Sequence, residues 1–376
     1  MRVRDVPLGI YIHVPFCIAR CGYCDFNTYV PSGPGQSSEF VEAALRELAQ
    51  ARTELGERPV STVFIGGGTP TLLGAGELLR LLDGVADAFG LVPGAEVTTE
   101  ANPESTDSEL LRALRHGGFT RISIGMQSAA PHVLRTLDRL HTPGRATAAA
   151  VEAREAGFEH VSLDLIFGTP GESDDDWEET LEAALSAAPD HISTYALTVE
   201  QGTAMARAVK AGTLSAPDDG VQARRYAYAD QLLSERGFDW YELSSWATSP
   251  DARCHHNIGY WRSYDWWGVG PGAHSHLDGV RWWNVLRPAA YARALAEGRS
   301  PAAGREVLTA DERALETVIL GLRERGGLAF SSLTAAGARA AELEVSRRRV
   351  IIVDGSVQLT RKGRLFADAV ARELSV

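Results

Sequence analysis

The chain has 376 residues, 44% of them hydrophobic, and a formal net charge of −12; at ~150 residues per domain, that length predicts two or three domains or one large barrel with an appendage. Basic residues never run longer than the SRRR at 346–349, so the electrostatic footprint of a nucleic-acid binder is missing. No stretch approaches the ~20 apolar residues of a membrane span, and the opening MRVRDVPLGIYIH lacks the apolar core of a signal peptide, which predicts a cytoplasmic protein with no transmembrane segment.

Up to about residue 200, short β-branched runs alternate with Ala/Leu/Glu-rich amphipathic stretches, the pattern of strand and helix units around a parallel sheet. Strands are predicted at 9–14, 60–65, 96–101, 121–126, 160–166 and 191–197, and helices at 38–55, 76–89, 107–116, 144–156 and 174–187. Ser173 and the acids after it read as a cap and first turn for the last of these helices. Six such units favour a partial barrel over a flat sheet, and in a parallel barrel the loops after the strands gather at one rim.

Those loops hold the chemically unusual residues. YIHVPFCIARCGYCDF (11–26) places Cys17, Cys21 and Cys24, three of the four cysteines, within eight positions. Such bunching is unlike a secreted disulfide framework and suggests metal chemistry in a reducing compartment. Three thiolates on one loop suit a multinuclear iron–sulfur centre with one open iron better than a mononuclear zinc site. A zinc site completed by Cys254, His255 and His256, or three buried free thiols, are the alternatives. FIGGGTPT (64–71) sets three glycines after a strand, where the backbone can approach a ligand or simply turn tightly. Glu100, Gln127 and Asp164 interrupt apolar strands near their ends, as pocket-lining or as internally satisfied groups.

From 200 to 285 the texture becomes aromatic and histidine-rich, ending in CHHNIGYWRSYDWWGVGPGAHSH (254–276). A linker-like AEGRSPAAGRE (296–306) follows, and then helices, a strand, an Asp-Gly turn, a second strand and a closing helix. The predicted organisation is a core at 1–200, a barrel extension at 201–295 and a small α+β, winged-helix-like domain at 305–376.

The Cys-x3-Cys-x2-Cys loop after the first strand resembles the signature of the radical S-adenosylmethionine (SAM) superfamily. That resemblance implies an α/β fold, a partial (β/α)6 barrel, with a [4Fe-4S] cluster on Cys17, Cys21 and Cys24 and S-adenosyl-L-methionine chelating the open iron. YIHVPFC, GGGTP, GMQS and DLIFGTPGE resemble the branch of oxygen-independent coproporphyrinogen III oxidases and their relatives. Carried over by position, Tyr11, Tyr23, Gly67, Gly68, Thr69, Glu100, Gln127, Arg139, Asp164 and Ile166 would line the SAM site.

The oxidases carry a further cysteine two places after the third cluster ligand, where this chain has Phe26. His256, Asn257, Tyr260 and Trp261 reproduce the HNxxYW motif of the heme-chaperone group in this branch, which implies a heme site with an exposed His256 as axial ligand and His274 as a second imidazole. Ordinary loop histidines remain the alternative. The function implied is a heme carrier that serves acceptor hemoproteins, respiratory or membrane-associated ones among them, with dimerisation open. Oxidative decarboxylation of coproporphyrinogen is the rival, and radical modification of RNA is disfavoured by the acidic charge.

Overall fold

The computed structural model describes residues 6–31, 33 and 35–375; residues 1–5, on which part of the signal-peptide reading falls, lie outside the described residues. Six parallel strands are adjacent in space in chain order: β1 (Leu8–Val14), β2 (Val60–Gly67), β3 (Leu91–Ala101), β4 (Arg121–Gln127), β5 (His160–Phe167) and β6 (His191–Ala196). Parallel neighbours need crossovers. These contain α1 (Gln36–Leu55), α2 (Gly74–Phe89), α3 (Ser108–His116), α4 (Pro131–Thr136), α5 (Arg145–Glu155) and α6 (Asp174–Ser186).

β1 is buried at every position but Tyr11, as a strand covered on both faces requires. α6 begins with a complete capping box: the Ser173 hydroxyl accepts from the Asp176 N–H and the Asp176 carboxylate accepts from the Ser173 N–H, with three acids facing the helix dipole. The partial (β/α)6 barrel implied by the sequence is therefore present. β3 starts five residues earlier than predicted, because it runs through Pro93 and Gly94, which read as a turn.

Past β6, α7 (Ala204–Lys210) and α8 (Asp219–Glu235) lead to β7 (Asp239–Glu242) and β8 (Ser245–Ala247), with β8 antiparallel to β6. α9 (His255–Trp261) packs against β2, and β9 (Asp265–Val269) returns parallel to β1. β10 (His274–Leu277) and β11 (Val280–Asn284) follow, then α10 (Pro288–Ala296) and β12 (Ala302–Val307), to give a 12-stranded sheet. The linker expected at 296–306 is corrected here. Its second half is β12, hydrogen bonded to β11, so a boundary at 305 would cut a sheet strand.

The C-terminal part has a separate apolar cluster that includes Val318, Leu322, Leu328, Val350, Val357, Val370 and Leu374. It comprises α11 (Ala310–Gly321), β13 (Leu328–Ala329), α12 (Ala335–Ser346), β14 (Val350–Val353), β15 (Ser356–Leu359), α13 (Arg361–Arg364) and α14 (Ala367–Leu374). Asp354 and Gly355 both have positive φ, 49° and 76°, which is the tight hairpin turn that an Asp-Gly pair supports, and Val353 faces Ser356 across it. Among the described residues no helix is long and apolar enough to cross a membrane.

Candidate functional site

The loop after β1 folds back along the barrel rim. The Cys17 N–H donates to the Tyr29 carbonyl at 3.0 Å, and the Gly22 N–H reaches the Leu137 carbonyl beyond α4 at 3.3 Å. Cys17, Cys21 and Cys24 are partly exposed free thiols that line one cavity of about 560 Å³. Gly66 and Gly67 at the end of β2, with Gly68 after it, let the next loop press against this one. A Cβ on Gly68 would lie 2.4 Å from the Phe16 carbonyl oxygen, and Gly67 has φ +106°. The same approach brings the Thr69 hydroxyl to 3.7 Å from Cys17 Sγ.

Tyr23, Gly67, Gly68, Thr69, Glu100, Gln127, Arg139, Asp164 and Ile166 line this cavity beside the cysteines. Tyr11 does not. It sits one layer deeper, with its hydroxyl 2.9 Å from His13 Nδ1, and faces a second cavity of about 280 Å³ inside the barrel. Glu100, Ser123, Asp164 and Tyr195 face both cavities and form the floor between them. Sequence reasoning missed Ser123, whose hydroxyl donates to the Asp164 carboxylate at 2.8 Å. The available signal was register, since Gly125 of β4 pairs with Asp164 two places beyond Ser123.

Arg139 is fixed by strand irregularity. The register shifts between Gly125 and Gln127, and Gln127 takes φ +65°, uncommon for a residue with a side chain and typical of functional positions. The Gly125 carbonyl accepts from Arg139 Nη2 at 3.0 Å, and Nη1 lies 3.7 Å from Cys21 Sγ. A Cβ on Gly125 would fall 2.6 Å from that guanidinium.

Electrostatically the cavity is unsatisfied. Burial and the Asp164 carboxylate push Glu100 up to about 8, with only the Gly67 N–H, 2.9 Å away, opposing them. Burial also raises Asp164. Arg139 Nε and His141 Nδ1 are buried without a partner, and both side chains line the cavity. A buried Glu100 carboxyl with one N–H donor, beside the serine-bound Asp164 carboxyl and a guanidinium short of an acceptor, fits a zwitterionic amino acid with hydroxyls. The thiols on the rim fit a cluster. No group of three or more His, Cys, Asp or Glu among the described residues is arranged around a single ion.

Cys254 lies elsewhere, buried 3.8 Å from Glu96 in the middle of β3. That position removes the zinc alternative in which it completed the loop site. Glu96 also accepts the N–H groups of His255 and His256 at 3.0 and 2.9 Å and pairs with the buried Arg121, whose Nη2 donates to the Ala252 and Arg253 carbonyls. This clamp moors α9 under the barrel.

His256 is consequently not the exposed imidazole expected from the sequence; it is 3% exposed. Nδ1 lies 2.8 Å from Thr62 Oγ1 and Nε2 2.8 Å from the Tyr260 hydroxyl, and the ring stacks on Phe64 with centroids 5.2 Å apart. Gly9 leaves the room: a Cβ there would come within 3.2 Å of the ring. Burial lowers its pKa to about 4, so the ring is neutral near pH 7. Asn257 and Tyr260 face the inner cavity. Trp261 points away, under the Arg323 guanidinium at 5.9 Å.

Comparison with known proteins agrees with this geometry. Residues 11–184 match the Radical SAM superfamily model. The chain superposes on coproporphyrinogen III oxidase (HemN) from Escherichia coli with a TM-score of 0.85 at 23% identity, covering 99% of this chain and 90% of that one. It is 52% identical to heme chaperone HemW of Mycobacterium tuberculosis, covering 98% of this chain and 95% of the relative, and 34% identical to heme chaperone HemW of Bacillus subtilis, covering 85% and 84%. The fold and the match at 11–184 are those of a radical SAM protein. Within that superfamily the chain belongs to the heme chaperone HemW family.

Proposed function

We propose that the protein is a cytoplasmic carrier that binds heme and transfers it to acceptor hemoproteins. The observation that carries this reading is the 52% identity to a heme chaperone over 98% of the chain. Cys17, Cys21 and Cys24 hold a [4Fe-4S] cluster, and the residues around Glu100, Arg139 and Asp164, with Tyr11 behind them, hold SAM. When bound, such a cluster supplies one-electron reduction of SAM. Arg139 faces the carboxylate end of SAM, Glu100 and Asp164 accept from its ammonium and hydroxyl groups, and Tyr23 packs the loop onto Leu137, Ile166 and Met205.

The HNxxYW residues shape the heme side. His256 braces Tyr260, Asn257 faces the cavity that shares its floor with the SAM site, and Trp261 lies under the Arg323 guanidinium just past α11. The 1–200 core thus holds cluster and SAM, the extension from 201 carries the heme region, and the winged-helix-like part begins at α11. Phe26, 56% exposed, stands where the oxidases carry a cysteine.

The test is anaerobic heme titration of the cluster-loaded full chain, with a parallel incubation with coproporphyrinogen, SAM and reductant. Saturable binding near one heme per chain and no porphyrin product is the outcome for a carrier. Turnover of coproporphyrinogen without saturable heme binding would assign the oxidase activity instead.

A further inference from the structure

Four histidines stand in the aromatic stretch 254–276, and the structure separates them by what their ring nitrogens do. Both nitrogens of His256 are taken, and His276 is likewise engaged: Nδ1 lies 3.0 Å from the Tyr264 carbonyl and Nε2 accepts from the Gly279 N–H at 3.1 Å. His274 is different. It is exposed at the start of β10, and among the described residues no hydrogen bond occupies either ring nitrogen. Partial burial lowers its pKa, which leaves a neutral imidazole with a free lone pair near pH 7.

Its orientation is set by its neighbours. His274 faces Trp283 across the β10–β11 pair, and the two rings stack with centroids 5.8 Å apart and planes 27° from parallel. Trp283 lies flat because β12 offers Gly304 opposite it, where a Cβ would meet the indole at 2.5 Å. The groove in front of the imidazole has a volume of about 590 Å³ and is walled by Tyr260, Trp266, Trp283 and Leu320, within the ~300–1,000 Å³ of ordinary cofactor sites. The cavity beside His255 is smaller, about 320 Å³. Arg281 at the rim of the groove is already paired with Glu306 and Glu316, which directs carboxylates of an occupant outward.

The wall and the motif are connected. Tyr260, held by His256, meets Trp266 edge-to-face at 4.8 Å between centroids, and Trp266 Nε1 donates to the His274 carbonyl at 2.9 Å.

We propose that heme docks in this groove with a His274 ring nitrogen as the axial ligand of its iron, and that His256 is a positioning residue which acts through Tyr260 and Trp266. The proposal rests on the carrier reading. One Fe–N coordinate bond forms, a water on the free heme iron leaves, and no electrons are transferred. Stacking on Trp283 fixes the imidazole plane, so the macrocycle, which stands across the Fe–N bond, is received by Tyr260, Trp266 and Leu320.

The experiment is ferric heme titration of the cluster-loaded full chain, followed by Soret absorbance and electron paramagnetic resonance, on wild type, His274→Ala, His256→Ala and His255→Ala. Wild type should give an imidazole-ligated spectrum at one saturable site. His274→Ala should lose that spectrum and bind at least ~10-fold more weakly, since even outer partners of a metal ligand contribute ~10–100-fold in affinity; added free imidazole should restore the spectrum. His256→Ala should keep the imidazole-ligated spectrum with weaker binding, and His255→Ala should match wild type. An unchanged spectrum in His274→Ala, or its loss in His256→Ala alone, overturns the ligand assignment while leaving the carrier reading intact. No saturable binding in wild type overturns the carrier reading and this proposal with it.

Discussion

The imidazole of His256 and the phenol of Tyr260 are hydrogen bonded at 2.8 Å, one turn apart on α9, with the imidazole nearly perpendicular to the phenol ring. The histidine that heads the HNxxYW motif is therefore spent on holding the motif's own tyrosine, and the surface it prepares lies beyond that tyrosine, on β9 and β10.

This arrangement has a pH signature. His256 has a folded pKa of about 4 against an ordinary 6.5, so the unfolded chain binds more protons between those values and stability rises with pH through that window. The contribution is complete above about pH 6.5 and is lost as pH falls toward 4, with an upper size of ~3 kcal/mol. Burial also lowers His191, so the variant is what isolates the effect. In urea titrations from pH 7 to 4.5, His256→Gln should be less stable than wild type at pH 7 and lose less on acidification; equal pH slopes would remove the buried neutral imidazole from the account.

The Glu96–Arg121 pair should matter more for stability than a surface bridge. Both side chains are buried, and Glu96 holds the first N–H groups of α9 as well. Glu96→Ala leaves Arg121 uncompensated and should cost ~3–5 kcal/mol, read by chemical denaturation, with heme affinity falling in parallel because α9 loses its mooring. Wild-type stability in this variant would contradict the clamp.

In the cavity proposed for SAM, Glu100 stands at about 8 and is protonated at neutral pH. The positive groups of SAM favour the carboxylate, so binding lowers this pKa, releases protons at pH 7, and strengthens as pH rises from 6 to 8. Calorimetry in buffers of different ionisation enthalpy reads the release directly. Glu100→Gln should abolish it, and an unchanged proton count in the variant would mean that Glu100 does not face the ligand.

Gly68 tests the joint between the two loops. A Cβ there would meet the Phe16 backbone carbonyl at 2.4 Å, which cannot move aside as a side chain can. Gly68→Ala should displace the cysteine loop at a cost of ~1–3 kcal/mol, and reconstituted protein should hold less iron and sulfide per chain than wild type. Gly76→Ala serves as a control for an added methyl group without a clash, because Gly76, like Gly68, has no positive φ, and no atom lies within 4 Å of its added Cβ; equal iron content in all three proteins would contradict close packing at Gly68.

Local signals carried most of the fold. The six parallel strands are short apolar runs with breakers on either side, and Ser173 with its acids or Asp354 with Gly355 encode a cap and a turn in two to four residues. The three cysteines were legible for the same reason. What the sequence hid depends on distant partners. β12 reads as a linker because its exposed, polar Ala302–Val307 becomes a strand only against β11. His256 looks like a surface histidine until Glu96, about 160 positions earlier, draws α9 beneath the barrel. Tyr11 lies on β1, the strand that leads into the cysteine loop, yet faces the deeper cavity, because strand alternation and barrel curvature decide its side.

The most direct measurement of the central claim is transfer itself. The cluster-loaded chain carrying one heme is mixed anaerobically with the heme-free form of a hemoprotein, and the two Soret spectra are followed as the proteins are separated. The account requires heme to leave this chain and appear in the acceptor with the acceptor's own spectrum and restored activity, faster than from free heme held by serum albumin. Heme that stays on the chain, or that reaches the acceptor no faster than from albumin, would contradict a carrier.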